Sequence, residues 1–194
     1  MPEALSFNRE LKRKSIHLAT SAIPVAYYFW LTREQILFLS VFLTIGFFTA
    51  DILRMKFALA EKYFIRIFSP LLRKSEVRRR FTGASFLFLG ITITVAAFTR
   101  EIAIPAILLV TIADSMAALV GKWYGRHKLF NKTVEGTLSF TAISFLLVAY
   151  FWGWSLLVLL IAIPIALVEL LGEKVNDNLT IPVISALLMQ AVYL

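Results

Sequence analysis

The chain has 194 residues, of which 59% are apolar and only 16% charged, with no cysteine and a formal net charge of +8. Soluble domains carry roughly 25% charged residues, so this chain cannot supply the polar surface that a water-soluble fold of its size needs. Soluble globular domains, disulfide scaffolds and disordered chains are excluded, and so are thiol catalysis and thiolate metal sites.

The remaining class is an all-α polytopic membrane bundle. A bilayer-crossing helix needs roughly 17–25 mostly apolar residues. Seven runs are read as crossings: 17–31, 35–53, 83–99, 102–120, 136–152, 154–171 and 179–194. The first is short and carries Thr20 and Ser21, and the last contains Pro182; six crossings is the alternative count. The runs are too continuously apolar for the alternating strands of a barrel. The whole of 1–194 reads as one transmembrane domain.

The basic stretch Arg9, Lys12, Arg13 and Lys14 precedes the first run and reads as a start-transfer anchor rather than a cleaved signal. The loop 54–82 repeats Phe57, Ala60, Phe64, Ile67, Phe68 and Leu71 at helical spacing, with Lys56, Lys62, Arg66 and Arg73 elsewhere around the helix. That pattern predicts an amphipathic helix lying on an anionic leaflet. Arg78, Arg79 and Arg80 then enter the third run. They serve either topology or, with Arg80 as the candidate, phosphate binding.

With the N-terminus in the cytoplasm, segments 1–16, 54–82, 121–135 and 172–178 all lie inside. They hold eighteen of the twenty Lys and Arg. The other two, Arg33 and Arg100, fall in outer turns beside Glu34 and Glu101. This asymmetry predicts an N-in, C-out topology.

Acidic residues in a membrane are costly and mark function. Asp51, Asp114, Glu135 and Glu169 fall in or at the edges of runs, and Asp177 lies in the loop before the last one. All five come out at similar depth on the cytoplasmic side, with Asp114 roughly 10 Å below the surface at 1.5 Å per residue. An ion path would spread its acids along the membrane normal. Acids at one level under a basic surface fit a polyanion with a divalent cation, in a site open to the cytosol and the inner leaflet. Asp114→Asn is then expected to keep or raise stability without ligand, unless Asp114 partners Lys122 or Arg126.

The segment 114–137 is the most specific. Gly121 and Gly125 predict a flexible helix exit whose amides reach phosphate oxygens. Lys122, Arg126, Lys128 and Lys132 supply cations, and Thr133 and Gly136 offer amides at a helix N-terminus. The loop 121–135 is thus a candidate nucleotide-binding loop. Carboxylate oxygens suit Mg²⁺.

These stretches resemble the CTP-dependent lipid-alcohol kinases, the dolichol, phytol and diacylglycerol kinase group. The likeness rests on Arg13-Lys14 with His17, Arg80 to Gly83, Asp114 through Gly125, Lys132-Thr133-Val134-Glu135-Gly136, and Asp177-Asn178-Leu179-Thr180-Ile181-Pro182. It implies Mg²⁺-dependent transfer of the γ-phosphoryl group of CTP to a lipid hydroxyl. By the same resemblance, Asp114, Glu169 and His17 are the candidate catalytic residues. Asp114, Glu135 and Asp177 are the candidate metal ligands. Gly121, Lys122, Gly125, Arg126, Lys128, Lys132, Thr133, Gly136, Asn178 and Arg80 are the candidate nucleotide contacts. The expected partners are CTP, a lipid alcohol from the inner leaflet and anionic lipid at the basic loops, with a homodimer allowed and no nucleic acid. Phosphatidate cytidylyltransferases carry a similar Asp–Gly–Lys–Thr–Glu–Gly signature and remain an alternative, as does a small non-enzymatic transporter.

Overall fold

The computed structural model describes residues 7–68, 81–171 and 176–193. Among them, nine helices and one short hairpin account for nearly all of the backbone. The polar residues between apolar runs set the helix boundaries. Thr20 and Ser21 turn their hydroxyls back onto the carbonyls of His17 and Leu18, each at 2.6 Å. Such local bonds compete with the helix ladder, so the first run is split. Helix α1 covers Phe7–Ala19 and α2 covers Ala22–Phe29.

Helix α3 (Arg33–Lys56) opens on a capping box. Thr32 Oγ1 accepts from Gln35 N, and Gln35 Oε1 accepts from Thr32 N at 2.9 Å. Helix α4 (Ala58–Phe68) comes after Phe57, and then α5 (Gly83–Ala97). Helix α6 runs from Arg100 to Trp123, with Pro105 inside it and a π-helical turn at Leu109–Ala113. The two-residue strands β1 (Lys128–Leu129) and β2 (Lys132–Thr133) pair antiparallel, Lys128 opposite Thr133. Helix α7 (Val134–Trp152) ends at Gly153, whose φ of 82° suits glycine. Helices α8 (Leu156–Leu171) and α9 (Asp177–Gln190) complete the chain, α9 being capped by the Asn176 side chain.

Among the described residues, α3, α6 and α7 are long and apolar enough to cross a membrane. Helices α5 and α8 are shorter but apolar. Burial ranks them differently from hydropathy. In α6, 78% of the apolar window is buried, against 17% in α3 and 28% in α7. Helix α6 is therefore the axis of the bundle, and α3 shows most of its apolar surface to the surroundings, as a lipid-facing helix does.

The core gathers Ile102 to Val110 of α6 with Tyr27, Ile36, Ile91, Phe140, Ile165, Ile181 and Met189. Helix α5 lies between α3 and α9. The approach to α9 is close enough that a Cβ on Gly90 would sit 2.7 Å from the Asn178 carbonyl.

The two ends of the bundle are chemically distinct. At one end, Arg33 donates to the last carbonyls of α5, Val95 (3.2 Å) and Ala96 (2.7 Å). Arg100 donates to the Tyr27 and Tyr28 carbonyls closing α2. Cations suit helix C-termini, so both arginines serve as caps. The hairpin and the buried charges lie at the other end. Helix α4 packs on α3, with the Arg54 guanidinium 4.8 Å from the Phe64 ring centre, and buries no residue fully. Phe57, Leu59, Tyr63, Ile67 and Phe68 are exposed beside Lys62 and Arg66.

Candidate active site

The site is built at the hairpin end from α1, α6, the hairpin, α8 and α9. Helix α1 presents Glu10, Lys14 and His17 on one face, at i, i+4 and i+7, and all three are buried. Lys14, only 2% exposed, reaches α6 and pairs with Asp114, itself 6% exposed. It also approaches the Asp114 carbonyl at 3.4 Å. His17, one turn further along, lies within electrostatic reach of Asp114. Asp114 is the first residue after the π-helical turn. Such turns insert an extra residue and rotate the helix beyond them, and they concentrate at functional sites.

The hairpin supplies the second cation. Lys132, on β2, donates to Glu169 Oε1 at 2.7 Å, to the Glu169 carbonyl, and to Asp177 Oδ2 at 3.3 Å. Burial disfavours its charge, but the carboxylates of Asp177, Glu169 and Asp114 outweigh burial and hold its pKa above the ordinary lysine value. Three carboxylates from α6, α8 and α9 thus converge on two lysines. Glu169 is 3% exposed, and its second oxygen, Oε2, has no hydrogen-bond partner among the described residues.

Other candidates occupy different roles. Glu135 is engaged by His127, whose Nδ1 lies 2.8 Å from Glu135 Oε1 and whose backbone N–H also points at the carboxylate. Among the described residues, no three acidic or histidine side chains gather in a group able to hold a metal ion. The set Asp114, Glu135 and Asp177 is therefore not assembled as one metal site. The residues present still fit Mg²⁺, which takes one or two carboxylates and completes its shell with phosphate and water. Asp114, Asp177 and Glu169 Oε2 are hard oxygen donors of that kind.

The glycines are tightly packed, and Gly121 and Gly125 both lie against Thr133. A Cβ on Gly121 would lie 2.7 Å from Thr133 Oγ1, and one on Gly125 would lie 2.6 Å from Thr133 Cγ2. Thr133 Oγ1 accepts from Gly136 N at 3.1 Å, so the Gly136 amide is consumed by the cap of α7. A Cβ on Gly136 would stand 2.9 Å from the Ala117 carbonyl. These glycines let the end of α6 press against the start of α7, which sets the root of the strand carrying Lys132.

Asn178 is likewise committed. It is buried, and its Nδ2 donates to the Gly83 carbonyl at 2.7 Å, tying α9 to α5. Lys122 is half-buried near the end of α6, while Arg126 and Lys128 are exposed on the loop. Arg80 lies outside the described residues. Asp51 forms a separate knot, accepting from Arg54 Nε (2.7 Å), Thr82 N (2.8 Å), Thr82 Oγ1 (3.0 Å) and Ser85 Oγ (2.6 Å).

Lys14, counted among the inside charges and in the Arg13-Lys14 stretch of the resemblance but given no site role there, is the member of this cluster that the candidate site residues left out. The signal was the buried polar spacing of Glu10, Lys14 and His17 along α1.

No protein-family model and no solved structure matches the chain. Curated relatives do. An uncharacterized protein of Rickettsia prowazekii is 30% identical over 186 residues, covering 91% of this chain and 91% of its own. A CTP-dependent diacylglycerol kinase of Schizosaccharomyces pombe is 28% identical over 168 residues, 75% of this chain and 77% of that one. A phytol kinase of Synechocystis is 34% identical over 140 residues, 63% of this chain and 60% of that one. With apolar helices of membrane-crossing length and these relatives along most of its sequence, the chain is an integral membrane protein that belongs to the CTP-dependent lipid kinase family.

Proposed function

We propose that the chain transfers the γ-phosphoryl group of CTP to the hydroxyl of a membrane lipid alcohol, at a site facing the cytoplasm. The observation that carries this reading is the convergence of Asp114, Glu169 and Asp177 on Lys14 and Lys132 at one end of the bundle. Phosphoryl transfer needs positioning and charge neutralisation more than covalent chemistry, and this cluster supplies both signs of charge in a buried setting. The lipid oxygen forms a new bond to the γ-phosphorus. The bond from that phosphorus to the β–γ bridging oxygen breaks, CDP leaves, and the hydroxyl proton passes to Glu169, whose Oε2 has no hydrogen-bond partner among the described residues. His17, buried on the same face of α1 as Lys14 and within electrostatic reach of Asp114, would act as a positioning residue. Asp114 and Asp177 would hold Mg²⁺, which when bound neutralises charge on the transferring group. Lys14 and Lys132 bind phosphate oxygens, with Lys122, Arg126 and Lys128 of the 121–135 loop, and with Arg80, drawing the triphosphate in from solvent.

The relatives named for diacylglycerol and phytol make those two alcohols, with longer polyprenols, the first acceptors to try. The deciding experiment combines purified protein, Mg²⁺ and CTP labelled on the γ-phosphate with that panel. A kinase leaves the label in lipid. A cytidylyltransferase leaves it in pyrophosphate, and a transporter leaves it in CTP. ATP supporting equal turnover at matched concentration would also overturn the reading.

The same reading places seven crossings, with α1 and α2 forming the first, N-terminus inside and C-terminus outside. It is supported by the eighteen basic residues of the inside segments and by Arg33 and Arg100 capping helices at the end away from the cluster. Helix α4, apolar and basic on its exposed surface, lies in the cytoplasmic interface on anionic lipid. A reporter fused after Leu194 that reads cytoplasmic would refute the topology.

A further inference from the structure

We propose that Lys14 and Lys132 are resident counter-ions, which occupy the place of the divalent cation in the resting site and pass to the nucleotide phosphates when metal and nucleotide enter together. This rests on the lipid kinase reading for what moves the lysines, but the resting arrangement is a property of the chain alone.

A buried carboxylate is tolerated only when paired or hydrogen-bonded. Asp114 has Lys14, and Glu169 and Asp177 share Lys132. Among the described residues, two ammonium groups face three carboxyl groups in this cluster, and Glu169 Oε2 is buried with no hydrogen-bond partner among them. The cluster is thus held folded, yet left with a residual attraction for a cation. Arginine would lock such a site with bidentate bonds. Lysine is a point charge on a flexible four-carbon stem, able to leave its carboxylate for a phosphate without backbone movement.

The arrangement also favours joint entry over metal alone. A lysine tethered in the site competes as an intramolecular ligand, without the translational cost that free Mg²⁺ meets. Only when the triphosphate offers the lysines new partners do the carboxylates become free for metal. Removing a lysine should therefore convert its carboxylate into a site for metal alone.

The test is thermal melting of the full chain in detergent with chelator, with Mg²⁺ alone, and with Mg²⁺ plus CTP, at constant ionic strength. The parent should not respond to Mg²⁺ alone and should rise with Mg²⁺ plus CTP. Lys14→Met and Lys132→Met should each melt earlier in chelator and regain stability with Mg²⁺ alone. The Lys14→Met, Asp114→Asn double variant should lose that regained response, because its acceptor is gone. A parent stabilised by Mg²⁺ alone as much as the variants overturns the proposal. A variant that gains no metal-only response overturns it for that lysine, and if one variant cannot be purified the other decides. A parent unmoved by Mg²⁺ plus CTP refutes the kinase reading instead, leaving the metal-only comparison intact.

Discussion

Gly121→Ala tests whether the glycines at the end of α6 serve packing or nucleotide access. The added Cβ would lie 2.7 Å from Thr133 Oγ1 and 3.4 Å from Gly136 Cα. Thr133 is β-branched and stiff at χ1, and its Oγ1 is held as acceptor for Gly136 N at 3.1 Å. Relief has two routes. The helices can separate, an overpacking cost of about 1–3 kcal/mol. Alternatively Thr133 can rotate away, losing an N-cap worth about 1 kcal/mol and leaving the amide of buried Gly136 unpaired. Reversible denaturant unfolding in micelles should therefore show Gly121→Ala destabilised by about 1–3 kcal/mol. Thr133→Ala removes the atom that the new Cβ strikes. The double variant should then lose less than the sum of the singles, by about 1 kcal/mol of coupling. A Gly121→Ala protein as stable as the parent, additive with Thr133→Ala and deficient only in CTP binding, would refute the packing account and restore the amide-cradle one.

Asp114→Asn should lower the melting temperature without ligand, because it strands the buried Lys14 at a cost of about 3–5 kcal/mol; in a double-mutant cycle with Lys14→Met, the pair should cost much less than the sum. For Lys132, the folded pKa is raised, so its ion pairs stabilise fully below the unfolded value of about 10.4 and weaken only as pH rises through the folded value. The melting difference between parent and Lys132→Met should accordingly stay level from about pH 6 to 9, and a difference that shrinks in that window would contradict the pairing. Asn178→Ala should cost about 1 kcal/mol through the lost bond to Gly83 while leaving KM for CTP unchanged; a raised KM would return Asn178 to the nucleotide. Asp51→Ala removes the buried acceptor shared by Thr82 N, Thr82 Oγ1 and Ser85 Oγ and should destabilise by about 1–3 kcal/mol for each donor left unsatisfied, read by melting in detergent.

The sequence alone determined the membrane class, the apolar runs and the polar residues that cannot lie idle among them. Those are local properties: an apolar stretch reports its own transfer free energy, and a carboxylate within it is costly wherever the chain goes. Asp114 and Glu169 were legible for that reason, Lys132 and Asp177 through the loop pattern and the resemblance, and the structure brings the four together. The break at Thr20–Ser21 was half legible, since the hydroxyls were visible but not their turn onto the preceding carbonyls. Only the tertiary structure decided who partners whom. Lys14 and Asp114 are a hundred positions apart, and nothing in the spacing of either separates a topological lysine from a buried counter-ion. Likewise Gly121, Gly125 and Gly136 look like a phosphate loop in one dimension. In three they are the contact between two helices, because a missing Cβ serves close approach of backbone to backbone as readily as backbone to ligand.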